Sequence, residues 1–248
     1  MSVPVLEMKK ISKSFYGTQV LKDIDLKVNA GEIHCLVGEN GAGKSTLMNI
    51  LFGMSVITGT GGYGGDILIN GSHVAFDSPK AAIGAGIGMV HQEFMLLPGF
   101  TVTENIKLNR EVTKPNPFSK ILGKKLETLD RKQMATDSRT ALDKLGMNIE
   151  EWVTVAGLPV GYLQFVEIAR EIDKQNLQLL VLDEPTAVLT ESEAEQFLAV
   201  VRRLAQTGIS ILFITHRLDE VMAVADNITI LKDGEFVRSG PTDSFTIA

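Results

Sequence analysis

A glycine-rich segment directly after a short apolar run is the feature that most restricts how this chain can fold. The run is "IHCLV", Ile33–Val37, and "GENGAGKST", Gly38–Thr46, follows it. This spacing of glycines, lysine and serine predicts a buried strand, a phosphate-binding loop and a helix that begins near Lys44. Glycines let the loop curl so that successive N–H groups point inward, and the helix start adds its positive dipole end. We therefore expect a layered α/β fold with an anion site at one sheet edge.

Apolar alternation and helical periodicity predict the other elements. The expected strands are Val5–Ile11, Val20–Val28, Ile33–Val37, Ile67–Ile69, Val74–Phe76, Ile87–Val90, Leu179–Leu182, Ile209–Thr215 and Ile228–Leu231. The expected helices are Lys44–Phe52, Arg131–Leu145, Gly161–Lys174, Ser192–Gln206 and Leu218–Ala225. Strands and helices alternate at both ends of the chain, which indicates a mainly parallel sheet.

The middle of the chain, from Glu93 to Val155, has no convincing strand and indicates a helical insertion. "TGTGGYGGD", Thr58–Asp66, predicts a flexible turn between strands. We expect a single domain over residues 1–248. In it, 1–92 and 158–248 form the α/β core with an antiparallel β subdomain, and 93–157 form an α-helical subdomain.

Composition and charge argue against several classes of protein. The chain has 24 basic and 30 acidic residues and a net charge of -6, which disfavours a nucleic-acid-binding protein. Apolar runs such as Ile209–Ile214 are strand-sized and too short for a membrane helix, and the first residues do not resemble a signal peptide. The single cysteine, Cys35, is expected to be a buried core thiol. A cytoplasmic location is the default expectation.

Two acids end the predicted strand in "LQLLVLDEPTA", Leu177–Ala187. In open parallel sheets, ligands bind at this edge. We predict that Asp183 holds Mg²⁺ through water and that Glu184 polarises or orients an attacking water. A strand that simply ends in two solvated acids is the alternative, and the phosphate-binding loop in the same chain disfavours it. In that loop, Lys44 is predicted to reach the β- and γ-phosphates and Ser45 to hold Mg²⁺.

Two further polar residues follow predicted strands. His216 comes after "ISILFIT", at the same edge as Glu184, where an imidazole can hydrogen-bond a γ-phosphate. A histidine that caps the next helix is the alternative. Gln92 follows "GIGMV", where its amide can reach Mg²⁺ or the attacking water, and a surface glutamine is an equal alternative. The neighbouring His91 is interpreted as structural.

The helix after "LPV" offers a further anion site. Gly161 permits close approach, Gln164 lies on the first turn, and the free N–H groups of the helix start favour an anion. The helical insertion separates this helix from the phosphate-binding loop, so we interpret it as reaching the nucleotide of another subunit. Packing of Phe165 and Ile168 in an amphipathic helix is the simpler interpretation, and the two are compatible.

Together these motifs resemble the ATP-binding cassette (ABC) ATPases across essentially the whole chain. Their order carries the resemblance: phosphate-binding loop, Gln92, helical insertion, a signature run at Leu158–Tyr162, "LLVLDEP" and His216. The phrases "GIGMVHQEFMLLPGFTVTENI", "VEIAREI" and "ITHRLDEV" are similar to importer ATPases for simple sugars or nucleosides. Such importers commonly carry two cassettes in one polypeptide.

The resemblance implies a role for each matching position, with ATP and Mg²⁺ as ligands. The implied nucleotide-binding residues are Gly38, Glu39, Asn40, Gly41, Ala42, Gly43, Lys44, Ser45, Thr46, Gln92 and Asp183. The implied metal ligands are Ser45, Gln92 and Asp183, and the implied catalytic residues are Lys44, Gln92, Glu184 and His216. An aromatic residue in "KSFYG" should stack on adenine. Phe15 is favoured over Tyr16, and a core role for Phe15 on an edge strand stays open.

The signature run departs from the family pattern Leu-Ser-Gly-Gly-Gln. Pro159 has no hydroxyl and no N–H, so it cannot make the contact of the usual serine with a γ-phosphate across a dimer, and Tyr162 replaces the glutamine. A hydrogen bond to a charged group is worth roughly 1.5–3 kcal/mol, which predicts a site weakened by roughly tenfold or more. We expect this chain to bind ATP, to hydrolyse it poorly alone, and to work in an asymmetric dimer with a second cassette.

The leading expectation is an ATP-hydrolysing subunit of a simple-sugar importer. It would act at the inner face of the cell membrane through permease subunits and, indirectly, with a solute-binding protein. A nucleoside importer, a soluble ABC ATPase that acts on nucleic acid and a regulatory half without catalysis are the alternatives. The acidic balance disfavours the second of these and the presence of Glu184 disfavours the third. A small GTPase is excluded because no Asn-Lys-x-Asp run occurs.

Overall fold

The computed structural model describes residues 3–174 and 176–246. The strands are β1 Leu6–Phe15, β2 Thr18–Val28, β3 Ile33–Val37, β4 Gly64–Ile69, β5 Ser72–Val74, β6 Ile87–Val90, β7 Thr113–Lys114, β8 Thr128–Leu129, β9 Leu179–Asp183, β10 Ser210–Thr215, β11 Asn227–Lys232 and β12 Glu235–Pro241. The α-helices are α1 Lys44–Leu51, α2 Ser55–Thr58, α3 Pro79–Gly84, α4 Val102–Ile106, α5 Pro117–Leu122, α6 Arg131–Lys144, α7 Val160–Ile172, α8 Glu191–Gln206 and α9 Leu218–Val224.

A ten-stranded sheet joins a parallel and an antiparallel part. Its strand order is β5-β4-β1-β2-β12-β11-β3-β10-β9-β6. The strands from β11 to β6 are parallel neighbours, and the strands from β5 to β2 are antiparallel. Residues of β3 and β10 are buried throughout, as in strands that are covered on both faces. The predicted α/β fold with a mainly parallel core and an antiparallel β part is confirmed.

The helix after β9 illustrates how periodicity produces the core. In α8 the buried residues Ala194, Phe197, Val201 and Leu204 recur at helical spacing, so they share one face. The charged residues of α8 lie on the opposite face. Burial of each of the three larger side chains, Phe197, Val201 and Leu204, contributes roughly 1.5–3 kcal/mol, which fixes the rotation of the helix about its axis.

Several elements differ from the sequence prediction. β12 is mostly exposed and lacks alternation, and it forms because Asp233 and Gly234 make a tight hairpin with positive φ values of 50° and 74°. The short hairpin of β7 and β8 contradicts the expectation of no strand in the middle of the chain. The predicted turn at Thr58–Asp66 is shorter than expected because β4 already begins at Gly64. The sequence pattern also misses the helices α2, α3, α4 and α5, since each has six residues or fewer.

The chain folds into two compact units. One comprises the residues up to Gln92, Asn176–Ala187 and the residues from Ala194 onward, and the other comprises Glu93–Gln175 and Val188–Glu193. The sequence pattern assigns all of 158–248 to the core. The structure instead groups α7 with the helical unit, because α7 packs against α4 and α6. In the part of the chain that the structure describes, every helix is too short or too polar to cross a bilayer.

Candidate functional site

The three glycines of the loop between β3 and α1 are needed for different reasons. A Cβ on Gly38 would lie 2.6 Å from the carbonyl oxygen of Leu231, so no side chain fits there. Gly41 has open space around it, so a side chain would fit. Its φ of +88° is nevertheless a left-handed conformation that favours glycine. Gly43 has both constraints, with a φ of +99° and a virtual Cβ 2.5 Å from Leu21 Cδ2. The loop conformation thus depends on all three.

A cavity of about 510 Å³ opens beside this loop, within the first unit. Its size is typical of a site for a small molecule. The residues that line it are Val20, Asn40, Gly41, Gly43, Lys44, Ser45, Thr46, Gln92, Asp183 and Glu184. All except Val20 were predicted from the sequence. Val20 reaches the cavity because its strand, β2, packs against the loop at Gly43. No sequence motif signals this contact.

Lys44 is folded back into its own loop. Its side chain is buried, and Nζ donates hydrogen bonds to the carbonyl oxygens of Gly38 at 2.6 Å and Glu39 at 3.1 Å. These acceptors are neutral, so the ammonium charge is not compensated by them. Because α1 begins at Lys44, the N–H groups of its first turn also have no partner within the helix. The loop therefore presents positive charge and donors to an anion.

Asp183 ends β9 and lines the same cavity. Its burial raises the pKa of its carboxyl group, and repulsion by the neighbouring Glu184 raises it further. The charges of His91 and Lys44 act in the opposite direction. His91, which the sequence pattern marks as structural, therefore takes part in the electrostatics of this site. A cation beside Asp183 would relieve the cost of ionising it.

Glu184 and His216 form a carboxylate–imidazole pair at the same edge of the sheet. His216 Nδ1 lies 3.1 Å from Glu184 Oε1, and half of the His216 side chain is exposed. The parallel register pairs Asp183 with Ile214, and the Glu184 N–H donates to the Ile214 carbonyl at 2.9 Å. Glu184 has a φ of 44°, a strained left-handed conformation that is rare for residues other than glycine. Register and backbone together bring the carboxylate and the imidazole into contact.

Five residues of the predicted site are not among those that line the cavity. These are Phe15, Gly38, Glu39, Ala42 and His216. Gly38 and Glu39 instead hold the Lys44 side chain. Phe15 is partly buried at the end of β1 and packs on the core, with Lys13 Nζ 4.7 Å from its ring centroid. Tyr16 is 96% exposed at the tip of the β1–β2 hairpin.

The donor atoms around the cavity fit a magnesium ion. The Ser45 hydroxyl, the Gln92 amide and the Asp183 carboxylate supply oxygen atoms, which are the ligands that Mg²⁺ prefers. Across the described residues there is no group of three or more His, Cys, Asp or Glu able to hold a metal. Mg²⁺ in proteins commonly keeps several waters and binds substrate phosphates, so phosphate and water would supply its other ligands here.

The signature run lies in the second unit at the start of α7. Pro159 is the N-cap residue and makes no side-chain cap, while Val160 and Tyr162 are exposed. A Cβ on Gly161 would lie 2.6 Å from Glu193 Oε1, so a side chain at this position would require the Glu193 side chain to shift. Gln164 was expected on the anion-binding turn, but its side chain is almost fully buried. Its amide therefore faces the interior of the helical unit.

Comparisons with known proteins agree with these features. A family model described as "ABC transporter" matches residues 21–187. The ribose import ATP-binding protein RbsA of Yersinia pestis is 41% identical over 96% of this chain, and the xylose import ATP-binding protein XylG of Thermoanaerobacter pseudethanolicus is 39% identical over 99%. The chain spans only 43% and 46% of the lengths of these two relatives.

The fold is also similar to that of solved structures. The ADP conformation of an ATP-binding cassette of an ABC transporter is 25% identical to this chain, with a TM-score of 0.79. The match covers 96% of this chain and 91% of that one. A nucleotide-free ATP-binding cassette from an ABC transporter matches with the same identity and coverage and a TM-score of 0.80.

Proposed function

Because this chain belongs to the ABC transporter family, we propose that it is an ATP-binding and ATP-hydrolysing cassette that energises an importer for simple sugars. The observation that carries the proposal is one cavity lined by both the phosphate-binding loop and Glu184, with Glu184 Oε1 3.1 Å from His216. The ribose and xylose importers named among its relatives support the substrate class. Residues 1–248 would form one cassette domain.

Each residue of the site has a chemical task in this proposal. The loop N–H groups and Lys44 would bind the β- and γ-phosphates of ATP, with Phe15 against adenine. The Glu184 carboxylate would orient and polarise the attacking water, and His216 would hydrogen-bond the γ-phosphate and hold that carboxylate in line. Mg²⁺, held by Ser45, Gln92 and Asp183, would neutralise phosphate charge when bound.

The altered signature run supports a partner-dependent site. With Pro159 in place of serine, the run cannot donate a hydroxyl hydrogen bond to a γ-phosphate. The chain would therefore act beside a second cassette whose own signature closes this site. Permease subunits would hold both at the inner face of the membrane, and a solute-binding protein would deliver the sugar to the permease.

Glu184→Gln tests the proposal. The amide keeps the size of the side chain but cannot accept a proton, so single-turnover hydrolysis of ATP should slow by on the order of 100-fold or more. Binding of a fluorescent ATP analogue should change little, because the phosphate-binding loop is intact.

The matched control is Glu195→Gln, which makes the same change at an exposed position of α8. It should leave both binding and hydrolysis unchanged. Equal hydrolysis by the wild type and Glu184→Gln would refute the catalytic assignment, and failure to bind ATP would refute the proposal as a whole.

A further inference from the structure

Glu220, in the first turn of α9, is a buried carboxylate outside the cavity. Its side chain is only 3% exposed. It accepts a hydrogen bond from Thr186 Oγ1 at 2.7 Å, and Arg217 Nη1 lies 2.8 Å from its Oε1. Thr186 follows Glu184 by two positions in the chain, and Arg217 directly follows His216. One carboxylate thus contacts the segments that carry both members of the Glu184–His216 pair.

Both segments are held at further points. The Glu184 N–H donates to the Ile214 carbonyl, and Thr186, which is 1% exposed, is tied through its hydroxyl to Glu220. On the other segment, Thr215 Oγ1 accepts a hydrogen bond from the N–H of Arg217 at 3.0 Å, across His216. The two segments come from different strands, β9 and β10, and Glu220 joins them beyond the end of the sheet.

Burying the Glu220 carboxylate costs free energy because the charged group loses its hydration. Burial raises the pKa of the Glu220 carboxyl group, whereas its hydrogen bonds to Thr186 and Thr215 and the charge of Arg217 lower it. An apolar residue of similar volume would fill the same space without losing hydration. A buried charge with partners on two segments instead restricts the directions that those segments can take. The arrangement therefore suits precise placement better than packing alone.

We propose that Glu220 is a positioning residue for the reaction, which keeps the Glu184 carboxylate and the His216 imidazole in contact through Thr186 and Arg217. The inference rests on the proposed function for its kinetic consequence, but its structural part concerns the 3.1 Å contact alone. Without Glu220, the segment after β9 and the segment after β10 lose the anchor that Thr186 and Arg217 share. Small displacements of catalytic groups reduce rates strongly.

The first test is spectroscopic and needs no ATP hydrolysis. The imidazole ¹⁵N resonances of His216 are assigned by their loss in His216→Asn, and Glu184→Gln shows where they lie without a carboxylate partner. Glu220→Ala should move them toward the Glu184→Gln position, and Thr186→Val should do so in part. The control Glu195→Gln changes an exposed acid of α8 and should leave them in place. Unchanged His216 resonances in Glu220→Ala would overturn the proposal.

The second test is kinetic. Under single-turnover conditions, Glu220→Ala should lower the maximal hydrolysis rate by about tenfold or more and change the half-saturating ATP concentration by less than about twofold. Glu220→Gln keeps an acceptor for Thr186 and should recover part of the rate, as should Thr186→Ser relative to Thr186→Val.

The outcomes separate the two proposals. If Glu184→Gln does not slow hydrolysis, the proposed function fails while the resonance test still decides the role of Glu220. If Glu220→Ala does not fold, Glu220→Gln and Thr186→Val carry the same readouts. Equal loss of ATP affinity and rate in these variants would indicate a general structural defect and would contradict a positioning role.

Discussion

At the scale of the residue, buried polar side chains hold loops in place through backbone carbonyls. Lys13 is 2% exposed, and its Nζ donates to the carbonyl oxygens of Ile57, Thr60 and Gly62 and to Thr60 Oγ1, at 2.6–3.2 Å. Burial lowers the pKa of its ammonium group. This lysine closes the glycine-rich turn before β4 and lies over the Phe15 ring. Lys13 therefore contacts both the glycine-rich turn and Phe15, the aromatic residue proposed to stack on adenine.

Lys13→Met should destabilise the protein by roughly 2 kcal/mol or more, because three carbonyl groups lose a charged donor, the Ile57 carbonyl in a buried contact and those of Thr60 and Gly62 in partly buried ones. Urea-induced unfolding at pH 7 measures the loss. Lys27→Met, an exposed lysine on the neighbouring strand β2, is the matched control and should change the free energy of unfolding by less than about 0.5 kcal/mol. Equal effects of the two variants would contradict the structural role of Lys13.

At the scale of the element, the helical unit is organised by caps and buried acids. Thr101 and Glu104 form a capping box at the start of α4, and the fully buried Asn105 binds Leu97 and Phe100 of the preceding loop. Glu167 of α7 is completely buried and accepts the Met95 N–H at 2.7 Å. α4 and α7 therefore each fix the loop that leads into α4. The run at 101–105 contributes to the resemblance to importer ATPases, but its residue types do not predict these contacts.

The pKa of Glu167 gives a prediction with a definite sign. Burial, as the main cause, raises the pKa above its ordinary value of 4.5, although Arg170 and the Met95 N–H lower it. Above pH 4.5 the native state therefore binds more protons at this site than the unfolded state, so the stability that the site contributes is present at low pH and lost as pH rises through the native pKa. Glu167→Gln removes this dependence.

The stability of Glu167→Gln relative to wild type, measured as the difference between their free energies of unfolding, should therefore increase from pH 5 to pH 8. Urea unfolding of both proteins at the two pH values measures the difference. Glu195→Gln, at an exposed position of α8, should show no such trend. A relative stability of Glu167→Gln that falls or stays constant with pH would contradict the raised pKa.

At the scale of the whole molecule, the two compact units carry different parts of the proposed reaction. The first unit contains the cavity, Glu184 and His216, and the second contains the signature run at the start of α7. The loop between β3 and α1 and the proposed catalytic residues Glu184 and His216 are present in the chain, whereas the signature run has Pro159 and Tyr162 at the positions of the usual serine and glutamine. This asymmetry is the physical basis for expecting dependence on a second cassette.

Restoring the family pattern with Pro159→Ser and Tyr162→Gln should raise ATP hydrolysis by the purified chain. Two copies could then close each other's sites with competent signatures, so the rate per molecule should rise by roughly tenfold or more and increase with protein concentration. Steady-state phosphate release over a range of protein concentrations measures this. Tyr162→Phe keeps the ring and should bring no gain. A rate that stays at the wild-type level at all concentrations would contradict the proposed dependence on the signature.

Features that depend only on neighbouring residues could be predicted from the order of the amino acids. Glycines with special φ values, the buried strand before Gly38 and the two acids that end β9 are local properties, because backbone conformation and periodicity act over a few positions. Parallel strand ends meet at one edge of a sheet, so Gln92, Asp183 and His216 could be assigned to a common edge before any contact was known.

Features that depend on packing between distant segments could not be predicted in this way and are visible only in the folded chain. Val20 at the cavity, the bond from Thr186 to Glu220, the lysine anchor at Lys13 and the assignment of α7 to the helical unit all join segments that lie far apart in the chain. Such contacts depend on strand register and on the fit of buried surfaces. The same local pattern of apolar and polar residues is compatible with many arrangements of the strands and helices. Only the folded chain selects one of them.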